Sequence, residues 1–412
     1  MIKTNSIHYK VILTLVLLIA YKLISHIPVP WVDTATLSIL SSYSLFNFAN
    51  EFNGGALSTL SLTAVGISSY ITASIIIQLL STGFKRLEDI SKMPGGQKII
   101  KKMTIVLGII LSLATSFGLV SAIESQAELL TNTSWYVKPI IAVVHCVGTA
   151  IAIWVGETIT EKGFGNGVSL LIAMNIASGL PAKFLELSLL DTNTRVIVAS
   201  VTVIVLFLVI LLETSEARIP IKYSKTVSMD SPRFEQPYLP MKINISGVMP
   251  IIFASTIFQL VSMVINLFNL TPPKVIAEII TYGTIPYMIS MVVIVFVFTF
   301  FYSFLIFRPD EISKALQNNE GMIIGVRPGT ETENYLTKLM NRLNLIGSIY
   351  MSVVVLIPIL CFNFVGYIGL QPTSVIIIAG VSLEIIKKAR VEYLSKSCIS
   401  KKSAALLKYA RA

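Results

Sequence analysis

Three glutamates sit within or at the edge of long apolar runs, Glu157, Glu213 and Glu384, where a carboxylate is the usual carrier of ion or proton coupling. A charge at the bilayer centre costs ~2.5–3.5 kcal/mol on insertion scales, so one kept at mid-depth marks a site. Glu157 and Glu213 stand at the cytoplasmic ends of their runs, where snorkelling relieves that cost. Glu384 is deeper, but Lys387, Lys388 and Arg390 follow it closely, so its run leaves the hydrocarbon nearby. No carboxylate is placed at the midplane. This favours a passive path over an ion-coupled carrier, although backbone carbonyls can also hold Na⁺. The histidines His8, His26 and His145 form no ligand cluster, and Cys146, Cys361 and Cys398 lie far apart and read as buried apolar thiols. With no GxxxxGK[ST] phosphate loop in the sequence either, no catalytic, metal or cofactor residue is assigned.

What lies near mid-depth instead is isoleucine. Ile71 and Ile75 are four apart, as are Ile172 and Ile176, so each pair projects from one helix face. Ile252 follows Pro250, whose ring is expected to break the seventh apolar helix, and Ile377 lies in the VIII run of the tenth. For any one of them taken singly, facing lipid is the ordinary reading. A ring of stiff β-branched side chains would make a gasket that closes by dewetting.

The elements that must position these residues are helices in lipid. The chain has 412 residues, 54% hydrophobic and 13% charged, with a mean hydropathy of +0.77. A soluble domain carries roughly a quarter charged residues, so this is a polytopic membrane protein. Apolar windows lie near 9–27, 67–82, 103–123, 136–158, 166–180, 196–212, 247–268, 285–307, 343–365 and 373–393. The first reads as a retained span, because Lys22 and the turn Ile27–Pro30 stand where a cleavage site would be. With the N-terminus cytoplasmic, the outer side holds Lys22, Lys138, Lys183, Arg195 and Lys274, five of the 32 basic residues, leaving 27 inside. Both termini are therefore cytoplasmic, and the net charge of +10 belongs to inner loops, the longest being 213–245 and 308–342. Ten spans divide as five and five, and an odd number in each half permits an inverted repeat.

One stretch departs from full-length spans. Asn53–Leu80 begins with a small-residue run, Gly54 to Gly66, too short at ~1.5 Å per residue to cross a ~30 Å core. It continues directly into a second apolar helix. Half-span backbone at membrane depth survives only where protein or a water-filled cavity covers it, so the run lines or blocks a path.

Several motifs follow the same order as the windows. They are IPVP at 27–30, FNGGALSTLSL and YITASIIIQLL within 52–80, GNGVSLLIAMNIASGLP at 165–181 and ARIPIKYSK at 217–225. LPMKINISGVMPIIFAS at 239–255, GVRPGTETENYL at 325–336 and NRLNLIGSIY at 341–350 complete the set. In this order the chain resembles the SecY family, the channel-forming subunits of the bacterial protein translocase, over nearly its whole length.

The resemblance implies an all-α integral membrane protein with ten transmembrane helices in two pseudo-symmetric five-helix halves, 1–180 and 181–412. These halves would close as a clamshell around a central pore, with a re-entrant plug helix at 54–63. It implies a plug that includes Gly54, Gly55, Ala56, Leu57, Ser58, Thr59 and Leu60, and a pore ring of Ile71, Ile75, Ile172, Ile176, Ile252 and Ile377. A lateral gate between the second and seventh spans would involve Ser74, Gln78, Asn244 and Ser255. Arg218, Lys222 and Arg327 fall on the cytoplasmic loops that would meet the SecA motor ATPase or the ribosome. A planar guanidinium on such a loop also suits an acidic protein surface or RNA phosphate. SecE and SecG subunits, signal sequences of preproteins and the lipid bilayer are the further partners implied, in a bacterial plasma membrane or a plastid thylakoid membrane. The expected activity is non-enzymatic: export of unfolded preproteins and lateral insertion of apolar segments, driven from outside.

Two departures from the family pattern stand out. Ser68 and Ser69 occupy the place of the usual Met-Pro before YI, and the loop at 81–102 keeps its basic end but lacks the acidic-glycine-arginine pattern. Housekeeping, accessory and organelle-encoded channels stay open on this evidence. Two other classes fit the composition: a secondary transporter with inverted repeats, and a poreless insertase or scaffold.

Overall fold

The computed structural model describes residues 7–31, 56–57, 60–93, 95–126, 134, 136–223, 238–267, 273–365 and 374–391. These are mostly helical, since in hydrocarbon each backbone group must find its partner within its own segment. In chain order come α1 (Ile7–Ile24), α2 (Ser68–Gly83), α3 (Lys85–Lys92), α4 (Gly96–Gln126), α5 (Val137–Lys162), α6 (Gly167–Ser188) and α7 (Thr192–Thr214). Strands β1 (Glu216–Tyr223) and β2 (Tyr238–Lys242) follow, then α8 (Met249–Leu267), α9 (Lys274–Ile280), α10 (Ile285–Ile306), α11 (Pro309–Asn318), β3 (Gly321–Ile323) and α12 (Thr330–Val365). A last helix, α13, covers 374–391.

Among the described residues, six helices are long and apolar enough to cross a membrane: Gly96–Ser121 of α4, then α5, α6, α7, the Ile285–Asn318 stretch and α12. The other four apolar windows carry α1, α2, α8 and α13. At 16 residues, α2 falls short of a ~30 Å core, as expected of the second part of a broken crossing.

The chain divides into two compact units: Met1–Leu190 with Phe258–Thr281 and Ile377–Ala412, and Asp191–Ile257 with Tyr282–Ile376. In the first unit α4 packs on α2 and α5, and α5 in turn carries α1 and α6. Small residues permit a close crossing of α5 and α6: a Cβ on Gly167 would stand 1.9 Å from the Gly156 carbonyl oxygen. Hydroxyls join the same helices. Ser112 meets Thr149 at 2.8 Å, and Ser69 meets Thr115 at 3.3 Å. Bonds of this kind average ~0.6 kcal/mol between membrane helices, so they fix register more than they add stability.

In the second unit α12 packs on α10 and α7, and its first turns, with α11, lie on a three-stranded sheet ordered β2-β1-β3. The sheet corrects the all-α expectation. ARIPIK alternates apolar and polar residues, and β1 shows that alternation as burial, with Ile219 and Ile221 inside and Arg218, Pro220 and Lys222 outside. Pro220 in the central strand hid the signal, because a missing N–H ordinarily excludes proline there. The pairings are staggered around it. β2 covers Glu216–Pro220 and β3 covers Ile221–Tyr223. The Pro220 carbonyl accepts from Ile324 N at 3.5 Å, one residue beyond β3, so the missing N–H falls at the end of that ladder and costs no bond within β3.

Two further expectations change. Pro250 does not break the seventh apolar helix, because α8 begins at Met249 and the proline occupies its first turn, where no intrahelical N–H bond is lost. A plug helix is not what the described part of 54–63 shows. Gly54, Gly55, Ser58 and Thr59 lie outside the described residues, while Ala56, Leu57 and 60–67 form turns around one antiparallel bridge, Pro28 with Ser61. Leu60 at φ +39° and Gly66 at φ +44° both leave the right-handed helical region, so a continuous helix cannot run through them.

Candidate functional site

The turn-rich segment is built from the residues of the IPVP motif outward. Val29 N donates to Leu60 O at 3.1 Å and Leu62 N donates to Ile27 O at 2.9 Å, so Ile27–Val29 forms a short ribbon with Leu60–Leu62. Val29 packs with Val120, Val137 and Ile141, which anchors that ribbon on α4 and α5. Ala56, Leu57 and Leu60 are each 3% exposed or less. A left-handed turn at Gly66 then redirects the chain into α2. The unusual serines close this joint: Ser68 Oγ donates to Val65 O at 2.6 Å, and Ser69 is tied to α4 through Thr115. Hydroxyls fasten the joint where the family pattern has a proline.

All six isoleucines are buried, none more than 5% exposed: Ile71 and Ile75 on α2, Ile172 and Ile176 on α6, Ile252 on α8 and Ile377 on α13. Isoleucines that present a side chain outward differ sharply, as Ile110, Ile289 and Ile346 do at 53–61% exposed. Five of the six belong to the first unit and Ile252 to the second. α6 is started by Asn166, whose side chain accepts from Val168 N at 3.2 Å.

Ser74 and Gln78 are half-buried on α2. Ser255 is buried on α8 and donates to Ile252 O at 2.8 Å; Thr256 donates to the same carbonyl at 2.7 Å. Asn244 is not on a helix. It lies in the turn between β2 and α8, where its Nδ2 donates to Glu213 at 3.0 Å and to Gly247 O at 2.9 Å. Glu213 is thereby 7% exposed and held by an amide, correcting the expectation that it snorkels outward. Glu157, partly exposed, pairs with Lys101 at 3.3 Å, and Glu384 is exposed.

Arg218 and Lys222 stand on the outer face of the sheet. Arg218 donates from Nε to Glu216 at 3.0 Å and lies 4.9 Å above the Tyr238 ring. Under them, Ile219, Ile221, Met241, Leu316, Ile323, Leu336, Met340 and Leu343 form one buried cluster, so the basic face has a rigid base. Arg327 is exposed on the Gly325–Gly329 turn. That turn is fixed: both glycines take positive φ, Thr332 Oγ1 donates to Arg327 O at 2.8 Å, and Ser313 Oγ donates to Gly329 O at 2.9 Å.

Sequence reasoning passed over Tyr21, Gly148 and Asn175. His145 was weighed as a metal ligand, whereas its Nδ1 meets Ser116 Oγ at 2.7 Å inside the first unit. The available signal was polar residues inside apolar runs.

Apolar helices long enough to cross a membrane, with a small sheet at one end of the second unit, define a multi-pass helical membrane protein. Known proteins narrow the class. A family model described as SecY matches residues 61–386. A relative named protein translocase subunit SecY, from Halalkalibacterium halodurans, is 33% identical, with 96% of each chain covered. Among solved structures, one titled as the structure of a protein conducting channel matches with a TM-score of 0.72 at 17% identity, covering 96% of this chain and 94% of that one. Another, titled as Sec61 in the canine ribosome-channel complex from the endoplasmic reticulum, matches with a TM-score of 0.68 at 16% identity, with coverages of 96% and 94%. The chain belongs to the SecY family.

Proposed function

We propose that the chain is the channel-forming subunit of a protein translocase, passing unfolded preproteins across a bacterial plasma membrane and releasing apolar segments sideways into lipid. The observation that carries this reading is the burial of all six isoleucines in a chain of this family. Ten helices form two five-helix halves, with both termini cytoplasmic. The six isoleucines close the path as a dewetted ring, and Gly54–Leu60 block it from one side. Ser74, Gln78 and Ser255 flank the seam between α2 and α8, while Asn244 acts from the turn that feeds α8. The channel works with SecE and SecG subunits. A motor ATPase or a ribosome docks on Arg218, Lys222 and Arg327, a reading supported by their exposure on a firmly built sheet and turn and by the ribosome-bound relative.

Ion conductance in planar bilayers tests the path. Deleting residues 56–64 or introducing Ile377→Asn is expected to open steady currents in a channel that is otherwise closed. Silent membranes with both variants would falsify the plugged pore.

A further inference from the structure

The second unit buries a polar layer where its sheet gives way to the membrane helices. The chain leaves α7 at Glu213 and returns from β2 through Ile243–Gly247, and Ile243 N donates to Ser215 O at 3.2 Å. Asn244 ties the two passes together through its bonds to Glu213 and Gly247 O. Ser246 Oγ completes the turn by donating to Asn244 Oδ1 at 2.8 Å. Glu213, Asn244 and Ser246 are all buried. α12 closes over this turn. A Cβ on Gly347 would stand 2.7 Å from the Ile243 carbonyl oxygen and 3.8 Å from the Asn244 Cα, so the helix lies directly against it.

Asn344 precedes Gly347 by three residues, which places it one turn along the same side of α12. It is 1% exposed, yet neither its Nδ2 nor its Oδ1 has a hydrogen-bond partner among the described residues. Its neighbours set the contrast. Met340 and Leu343 enter the apolar base of the sheet, against which Ile243 and Ile245 of the turn also pack. A leucine at 344 would extend that base, whereas a buried amide left unsatisfied carries a cost of ~1–3 kcal/mol. The amide calls for a partner beyond the protein's own groups. It offers N–H donors at one end and an acceptor oxygen at the other. A cation would meet the oxygen and face the hydrogens of the N–H groups. Water both donates and accepts, so it suits both ends. The turn supplies the far side, because the Gly247 carbonyl, the Asn244 amide oxygen and Ser246 Oγ can each accept a further bond. We propose that Asn344 holds ordered water between α12 and the β2–α8 turn, a buried hydration site that fixes the helix against polar backbone. It involves neither the six isoleucines nor the docking residues, and it stands without the channel reading.

The test uses the full chain, with whatever subunits purify with it, in lipid nanodiscs in potassium chloride and again in choline chloride. A cryo-electron-microscopy map fine enough to show ordered water is expected to hold a density peak between Asn344 and the turn in both salts. That peak should lie within about 3.2 Å of Nδ2 or Oδ1 and of a polar atom of Ile243–Gly247. An empty site, or a peak that appears only with potassium, overturns the proposal. Thermal stability gives an independent reading through its sign. Asn344→Leu and Asn344→Ala both remove the polar ends, the second without adding bulk. If water is held there, each variant loses the amide's bonds to it, and the melting temperature is expected to fall by at least about 1 °C. If the amide is simply unsatisfied, its desolvation cost disappears on substitution. A level or raised melting temperature with either variant therefore overturns the proposal. Should both variants fail to fold, the map of the unaltered protein decides alone.

Discussion

The segment at 56–66 and the sheet at 216–242 and 321–323 are both short insertions between helices, yet they are held in opposite ways. The first is enclosed, with small residues, two left-handed turns and polar groups pressed into the interior of the first unit. The second is half open, with an apolar underside against α11 and α12 and a basic outer face. On the proposed function, the enclosed segment lies where the path is sealed. A well-packed base suits a part that must take load without yielding. On the proposed function, the difference separates sealing from docking, and each can be attacked without touching the other.

The largest expected effect is on docking. Arg327→Glu reverses the charge on a turn whose backbone is already fixed, and motor-dependent translocation should fall more than tenfold while the assembled complex stays at its normal level. Normal export by that variant would remove Arg327 from the docking face. Next is the base of the sheet. Leu336→Ala opens a cavity under β1 and should cost ~2–5 kcal/mol locally, seen as faster amide hydrogen exchange in Glu216–Tyr223 with the α5 amides unchanged. Equal acceleration in both places would mean the sheet and the first unit do not behave separately.

A smaller effect is expected at the joint. Gly66→Ala places a side chain at φ +44°, a cost of ~1–2 kcal/mol, and should appear as a modest rise in resting conductance with docking unaffected. The smallest is Arg218→Ala. Its bond to Glu216 is solvent-exposed and worth at most ~1 kcal/mol, so complex stability should not change measurably, although binding of an acidic motor surface should weaken. A large loss of stability there would show that the outer face is structural rather than a docking surface.

Much of the helical layout could be read from the sequence, because hydropathy along a helix is local. A helix satisfies its own backbone, so a run of apolar residues is enough to place it, and each of the ten windows does carry a helix. The isoleucine pairs were equally readable as helix faces; that they are buried rather than turned outward was not, since spacing is the same for both. Glu213 shows the same limit. Its place at the end of an apolar run suggested exposure, and only the return of the chain at Asn244 encloses it.

By itself, then, the sequence determined a multi-pass helical membrane protein, the order of its apolar helices and the motifs that tie it to its family. Tertiary structure alone decided the sheet and the enclosure of the turns at 60–67. β1 depends on Ile323, far along the chain, to complete its pairing, and Pro220 is tolerated because it sits at the end of the β2 pairing and β3 stops one residue short of it. The turns at 60–67 are held by Ile27 and Val29 through backbone bonds and by the close approach of Gly148, residues from separate stretches of the chain. Pairing and enclosure of that kind are properties of distance in space, and no local window of residue types encodes them.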